Sequence, residues 1–184
     1  MDEEIAIEKQ DGTRTYAALT ADTLGAEYRV VAAGGWGCLG GVAGEWQSIP
    51  AMFERTSYHH PDKWDTAQWQ PDVVVINLGT NDGGFMWEHK KTEADFEACV
   101  REYLQLIRSK YADAHIVWAY GMMGNPLEGA LLKVINGLRS EDAKVHYVSL
   151  PMTVRGGGFH PGYEDSEICS DILVKYIKQI TNWE

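Results

Sequence analysis

Four short runs of apolar, largely β-branched or aromatic residues punctuate the chain. They are residues 28–33 (YRVVAA), 73–78 (VVVINL), 116–120 (IVWAY) and 145–150 (VHYVSL). Each is too short for a helix, and nearly continuous apolarity suits strands covered on both faces. Between them the pattern changes to helical spacing. Over residues 93–110, Phe96, Cys99, Val100, Tyr103, Leu104 and Ile107 fall on one stripe, and Thr92 with Asp95 makes a capping-box start. A second helix is expected from Pro126, with Asn125 as N-cap, carrying Leu127, Ala130, Leu131, Val134, Ile135 and Leu138. A last helix is expected from about Ser166, with Ile168, Ile172, Leu173, Tyr176 and Ile180 inward. A first one, over about residues 14–24, stops at Gly25. The order is helix, strand, long loop, strand, helix, strand, helix, strand, helix. It predicts an α/β fold, three-layer α/β/α, with the four runs as neighbours in a parallel sheet and right-handed crossovers.

Composition narrows the class. The 184 residues suit a single domain, and a chain of this length buries about 70% of its unfolded surface without a disulfide or metal staple. Lys and Arg number 16 against 27 Asp and Glu, a formal charge of −11, so neither nucleic acid nor an anionic membrane is an expected partner. No apolar run approaches the ~18 residues of a membrane span. The start, Met1-Asp2-Glu3-Glu4, is acidic and unlike a signal peptide. Cys38, Cys99 and Cys169 have no short spacing, which argues against a disulfide framework or a zinc site. As written, the chain reads as cytoplasmic, and no metal or cofactor is expected.

In parallel α/β sheets the site lies beyond the carboxyl ends of the strands. That rule selects residues 34–44, 79–85, 121–125 and 151–162. Gly79-Thr80-Asn81-Asp82 follows a strand, where a side-chain amide can donate to a developing oxyanion; the same four residue types also make an ordinary turn. Gly34-Gly35-Trp36-Gly37-Cys38-Leu39-Gly40-Gly41 follows the first run. Gly35, Gly37 and Gly40 match a dinucleotide fingerprint literally, but no strong amphipathic helix begins at Gly40 and Trp36 is bulky where a pyrophosphate would sit. Bare glycine also lets one backbone N–H approach a ligand closely. Gly156-Gly157-Gly158-Phe159-His160-Pro161 precedes the last helix, and a histidine held there can act as general base. His59, His60, His89, His115 and His146 have weaker claims, and no pair has zinc-ligand spacing with a third partner.

Together these segments resemble the SGNH (GDSL-type) hydrolase superfamily, whose blocks are a Gly-Asp-Ser nucleophile, an oxyanion Gly, an oxyanion Asn in Gly-x-Asn-Asp and a late His. Gly35 fits the second block, Asn81 the third and His160-Pro161 the fourth. The run YAALTADTLGAEYRVV before the glycine-rich loop, and WDTAQWQPDVVVINLGTND, look like the catalytic domain of carbohydrate esterase family two, whose members deacetylate plant polysaccharides. The resemblance implies a flavodoxin-like parallel sheet and hydrolysis of an acyl or carbohydrate acetyl ester. His160 would be the general base, with the N–H of Gly35 and the side chain of Asn81 as oxyanion donors. Trp36 and Trp87 would be surfaces on which a sugar ring could stack.

Two departures qualify it. None of the seven serines (Ser48, Ser57, Ser109, Ser140, Ser149, Ser166, Ser170) sits in Gly-Asp-Ser or after a strand in a nucleophile-like turn. The resemblance therefore implies an N-terminally incomplete domain over residues 1–184, without the first strand and its nucleophile serine, and inactive as it stands. The family's Asp before the late His is replaced by Gly157 and Gly158, which leaves a Ser-His dyad at most. The alternatives are a catalytically inactive protein of the same fold that binds a sugar or acyl ligand, and a flavodoxin-like nucleotide or flavin binder. The absent strand would lie between residues 28–33 and 73–78. The alternating residues 4–8 (EIAIE), or a second copy of the chain in a homo-oligomer, are expected to fill the gap; the alternatives are that the two flanking strands close up and pair directly, or that residues 1–11 are a disordered tail.

Overall fold

The computed structural model describes residues 11–41, 47–57, 59–156 and 160–183. In chain order the elements are α1 (Tyr16–Thr23), α2 (Ile49–Met52), β1 (Arg55–Ser57), β2 (His60–Lys63), β3 (Val73–Ile76), α3 (Asp82–Glu88), α4 (Glu93–Lys110), β4 (His115–Tyr120), α5 (Glu128–Leu138), β5 (Val145–Ser149) and α6 (Tyr163–Thr181). They form two compact units: residues 31–119 with 126–147, and residues up to 30 with 120–125 and 148 onward.

Most of the sheet, in the order β3-β4-β5, belongs to the larger unit. β3 pairs with β4 in parallel, Val73 opposite His115 and Ile76 opposite Trp118. β5 runs in the same sense: the Ile116 N–H donates to the Lys144 carbonyl at 2.8 Å, and further along the Leu150 N–H to that of Tyr120 at 2.8 Å. Ile116, Val117, Trp118, Ala119 and Tyr120 are all fully buried. That is why β4 reads as an unbroken apolar run: a central strand has no face to give to water. α4 begins at the predicted capping box and buries Phe96, Val100, Tyr103, Leu104 and Ile107. α5 is tied to α4 by Lys133 and Glu97, 2.7 Å apart. Arg108 holds the far end of α4, pairing with Asp142 at 2.7 Å and donating to the carbonyls of Tyr111, Ala112 and Ala114.

The smaller unit is built on α1 and α6. Ala18, Thr20 and Ala21 of α1 are buried, as are Asp165, Ser166, Cys169, Ser170, Leu173 and Ile177 of α6. The Thr20 and Ser170 hydroxyls hydrogen-bond at 3.2 Å inside this contact. Small residues on both helices allow a close approach, and the buried hydroxyls satisfy each other.

Three sequence expectations are corrected. Residues 28–33 form no strand: Tyr28, Val30 and Val31 are 43%, 61% and 45% exposed, and the parallel sheet holds three of the four predicted runs. Strand propensity acts only where a neighbour accepts the backbone, and no described ladder includes these residues. The helix expected from Pro126 starts at Glu128, with Leu127 as N-cap. The inward stripe of α6 is also rotated: Leu173 is buried as expected, but Ile168 is 37% exposed, and Cys169 and Ile177, outside the expected stripe, are buried. The polar contact with α1 sets that face, against the simple apolar periodicity. Residues 1–10, including 4–8, lie outside the described residues.

Candidate active site

Gly79, at φ +126°, ends the approach from β3 and turns the chain so that Asn81 caps α3. A side chain cannot easily adopt that φ, so the first position of Gly-Thr-Asn-Asp is fixed by backbone geometry. Asn81 is half-buried. Its Nδ2 donates to the carbonyl of Trp36 at 3.2 Å, bringing the third motif onto the second across 45 residues of sequence. An amide NH₂ has two protons, so the bond that orients Asn81 leaves the other for a ligand oxygen.

The glycine-rich loop is a tight hairpin. Trp36 bridges Gly41, the Gly37 N–H donates to the Gly40 carbonyl at 2.7 Å, and the Ile49 N–H to the Gly37 carbonyl at 3.0 Å. Gly35, at φ +77°, makes the turn into it. Its anion partner is internal. The Asp82 carboxylate is fully buried and accepts from Cys38 N at 2.9 Å and Leu39 N at 2.6 Å. A Cβ on Gly37 would collide with that carboxylate, and one on Gly40 with the Phe85 ring. These two glycines thus serve the packing of the loop on α3, and a pyrophosphate would have to displace Asp82. Burial raises the Asp82 carboxyl above the usual carboxylate range, opposed by the N–H groups of Cys38, Leu39 and Gly40.

In the smaller unit the same device recurs. Asp165, buried in the first turn of α6, accepts from Arg155 N at 2.9 Å and Gly162 N at 2.8 Å. Burial pushes its carboxyl up, but the bonds from Gly162 and Arg155 outweigh it and hold the group below the usual range. His160 sits in the loop so pinned: it is exposed, and its carbonyl accepts from Gly156 N at 2.8 Å. Gly157, Gly158 and Phe159 lie outside the described residues. Trp87, near the end of α3, is 86% exposed, and Trp36 is half-buried. Among the described residues no group of three or more His, Cys, Asp or Glu could hold a metal, and no helix is long and apolar enough to cross a membrane.

The sequence singled out Gly35, Asn81 and His160, and the structure places Gly35 and Asn81 on neighbouring turns joined through Trp36. The two buried aspartates that hold the loops were missed. Asp82 was legible only as a turn residue, because its partners are backbone groups 43 and 44 positions away. Asp165 carried a faint signal, an acid in the first turn of a helix preceded by glycines.

The chain matches the GDSL-like Lipase/Acylhydrolase family over residues 4–168. It is 32% identical over 185 residues to the cellulase/esterase CelE of Acetivibrio thermocellus, covering 92% of this chain and 22% of that protein. Among solved structures it resembles a family two carbohydrate esterase from Clostridium thermocellum in complex with cellohexaose, with TM-score 0.87 and 27% identity over 96% of this chain and 57% of that one. It also resembles the acetyl xylan esterase Est2A from Butyrivibrio proteoclasticus, with TM-score 0.85 and 25% identity over 95% of this chain and 57% of that one. These matches show the three-layer α/β/α fold with its parallel sheet. The chain spans little more than half of either structure and about a fifth of CelE.

Proposed function

Because the chain belongs to the GDSL-like lipase/acylhydrolase family, we propose that its site is built to hydrolyse an acyl ester carried on carbohydrate, an acetyl ester first of all. The observation that carries this is Asn81 at the end of the β3 connection, its amide oriented by the Trp36 carbonyl at 3.2 Å beside the turn of Gly35. The side chain of Asn81 and the N–H of Gly35 are the proposed donors to the tetrahedral oxyanion. His160 is the proposed general base: it takes the proton of an attacking serine, returns it to the leaving sugar hydroxyl and then activates water. The exposed ring of Trp87 offers a face on which a sugar can stack.

No Gly-Asp-Ser occurs in the 184 residues, so the attacking serine is assigned to no residue of this chain. Assayed alone, the chain is expected to release no 4-nitrophenol from 4-nitrophenyl acetate above background. Fusing a strand that ends in Gly-Asp-Ser is expected to start turnover. In that protein Asn81→Ala should lower kcat by about 10²–10³, or about 2.7–4 kcal/mol of barrier. Turnover by the unfused chain would overturn the assignment of the nucleophile, and an Asn81→Ala variant as fast as its parent would overturn the oxyanion hole.

The missing nucleophile motif supports a second reading, a protein of this fold that binds a carbohydrate ester without cleaving it. Calorimetric titration with acetylated cello- or xylo-oligosaccharides tests it, with Trp87→Ala expected to weaken binding. The side of β3 away from β4, where the described strand order ends, is read as the place where a second copy of the chain could pair.

A further inference from the structure

Cys38 and Cys99 lie 61 positions apart in sequence, yet their Sγ atoms are 3.0 Å apart, and Cys99 Sγ also donates to the Cys38 carbonyl at 3.1 Å. Both are free thiols, as is the buried Cys169. Cys38 is 1% exposed and sits in the glycine-rich loop, where its own N–H is gripped by Asp82. Cys99 is half-buried on α4, within the capped and amphipathic part of that helix. A disulfide bond measures about 2.05 Å, so closure asks the sulfurs to approach by only about 1 Å. Thiols this close are juxtaposed by two rigid supports, the carboxylate clasp on one side and the helix on the other.

We propose that Cys38 and Cys99 form a reversible disulfide that ties the glycine-rich loop of residues 34–41 to α4. The reaction starts at Cys99, the more exposed thiol. Its thiolate attacks one sulfur of a small disulfide such as oxidised glutathione, whose S–S bond breaks and releases one glutathione thiolate. Cys38 then loses its proton to that released thiolate and attacks Cys99 Sγ. The mixed disulfide breaks, and the second glutathione leaves as a thiolate that takes up, through water, the proton Cys99 gave up on ionising. Two protein thiols and one glutathione disulfide become one protein disulfide and two glutathione thiols; the cysteines give up two electrons and glutathione takes them. The hydrogen bond with Cys99, followed by burial, pushes the Cys38 thiol above the usual thiol range. Before oxidation Cys38 therefore rests protonated rather than as a thiolate.

The Cys38 and Leu39 N–H groups are those held by Asp82, which directly follows Asn81 in the chain. Closing the bond thus fixes the loop that orients Asn81. This inference does not depend on the esterase reading, since it concerns the thiols and the loop alone.

The test equilibrates the full chain in buffers of stepped reduced-to-oxidised glutathione ratio, quenches with acid, alkylates under denaturing conditions and maps peptides by mass. The expected result is a peptide pair joined through Cys38 and Cys99, lighter by two hydrogens, with Cys169 alkylated throughout and full reversal on adding reductant. Amide exchange at Cys38 and Leu39 is expected to slow about tenfold on oxidation and to be indifferent to oxidant in Cys99→Ser. Alkylation of both cysteines at the most oxidising ratio, or a glutathione adduct that persists on Cys99, would overturn the disulfide. A linked pair with unchanged exchange at Cys38 and Leu39 would overturn its action on the loop.

Discussion

His115 and His146 are an example of what two side chains can impose. Nδ1 of the first and Nε2 of the second are 2.9 Å apart, with the rings stacked. Such a bond needs one ring nitrogen to keep its lone pair, so the second proton is resisted. Burial and then the neighbouring His115 push His146 down to about 4, from 6.5; burial first, then Lys144, also lowers His115. The folded value lies below the unfolded one, so the contribution to stability is complete above about pH 6.5 and is lost as pH falls through about 4. Urea unfolding should show lower stability at pH 4 than at pH 7, with roughly 1–2 kcal/mol of the loss from this group after solvent screening, and His146→Gln should remove most of that part. A His146→Gln chain with the same pH dependence of stability as wild type would refute the coupling. Neither this pair nor Cys38 with Cys99 was legible in the sequence. Single residues 31 and 61 positions apart leave no periodic trace, and only the fold brings them together.

Elements were legible where burial alone decides their form. β3, β4, β5 and α4 lie where the apolar pattern puts them, because each buries a largely apolar set of side chains. α3 is not among the helices expected from the sequence, since Asp82-Gly83-Gly84 is poor helix sequence; it is held by the Asp82 clasp and by Phe85 against Gly40. The exposed β1–β2 hairpin had no alternation to betray it, for all of its strand residues face water. α6 shows the subtler failure, a helix correctly expected but rotated. The two stripes predict different mutants. Ile177, 3% exposed and outside the stripe read from periodicity, should cost about 2–5 kcal/mol on truncation to alanine, whereas Ile168→Ala should cost under about 1 kcal/mol. Chemical denaturation of the two variants checks this, and equal losses would restore the stripe read from periodicity.

For the molecule as a whole the weak place is the edge of its sheet. β3 is terminal in the described strand order, and Val75 on it is 38% exposed. A strand that is terminal among the described residues and carries an exposed valine is a candidate for pairing with another chain. Sedimentation velocity at rising concentration is expected to show reversible association, which Val75→Lys should reduce. A chain that stays monomeric at every concentration would remove the edge as a contact. The fold class and the order of the motifs were legible at this scale, because they depend on the succession of elements. The fate of residues 28–33 was not, because a strand needs a partner that its own composition cannot supply.

The carboxylate of Asp82 makes the glycine-rich loop a receptor already loaded with its own ligand. Cutting that side chain away, as in Asp82→Gly, would leave two buried N–H donors facing a void, at a cost of about 2–4 kcal/mol. A vacancy of that shape and polarity can be refilled from solution. Formate or acetate should raise the melting temperature of the variant in a saturable way, following the mass-action law for a ligand that binds only the folded state. Chloride at equal ionic strength should do less, and the wild-type chain, whose socket is filled, should not respond. The sequence that looks most like a phosphate loop would then become a small-carboxylate sensor by a single deletion of its built-in occupant.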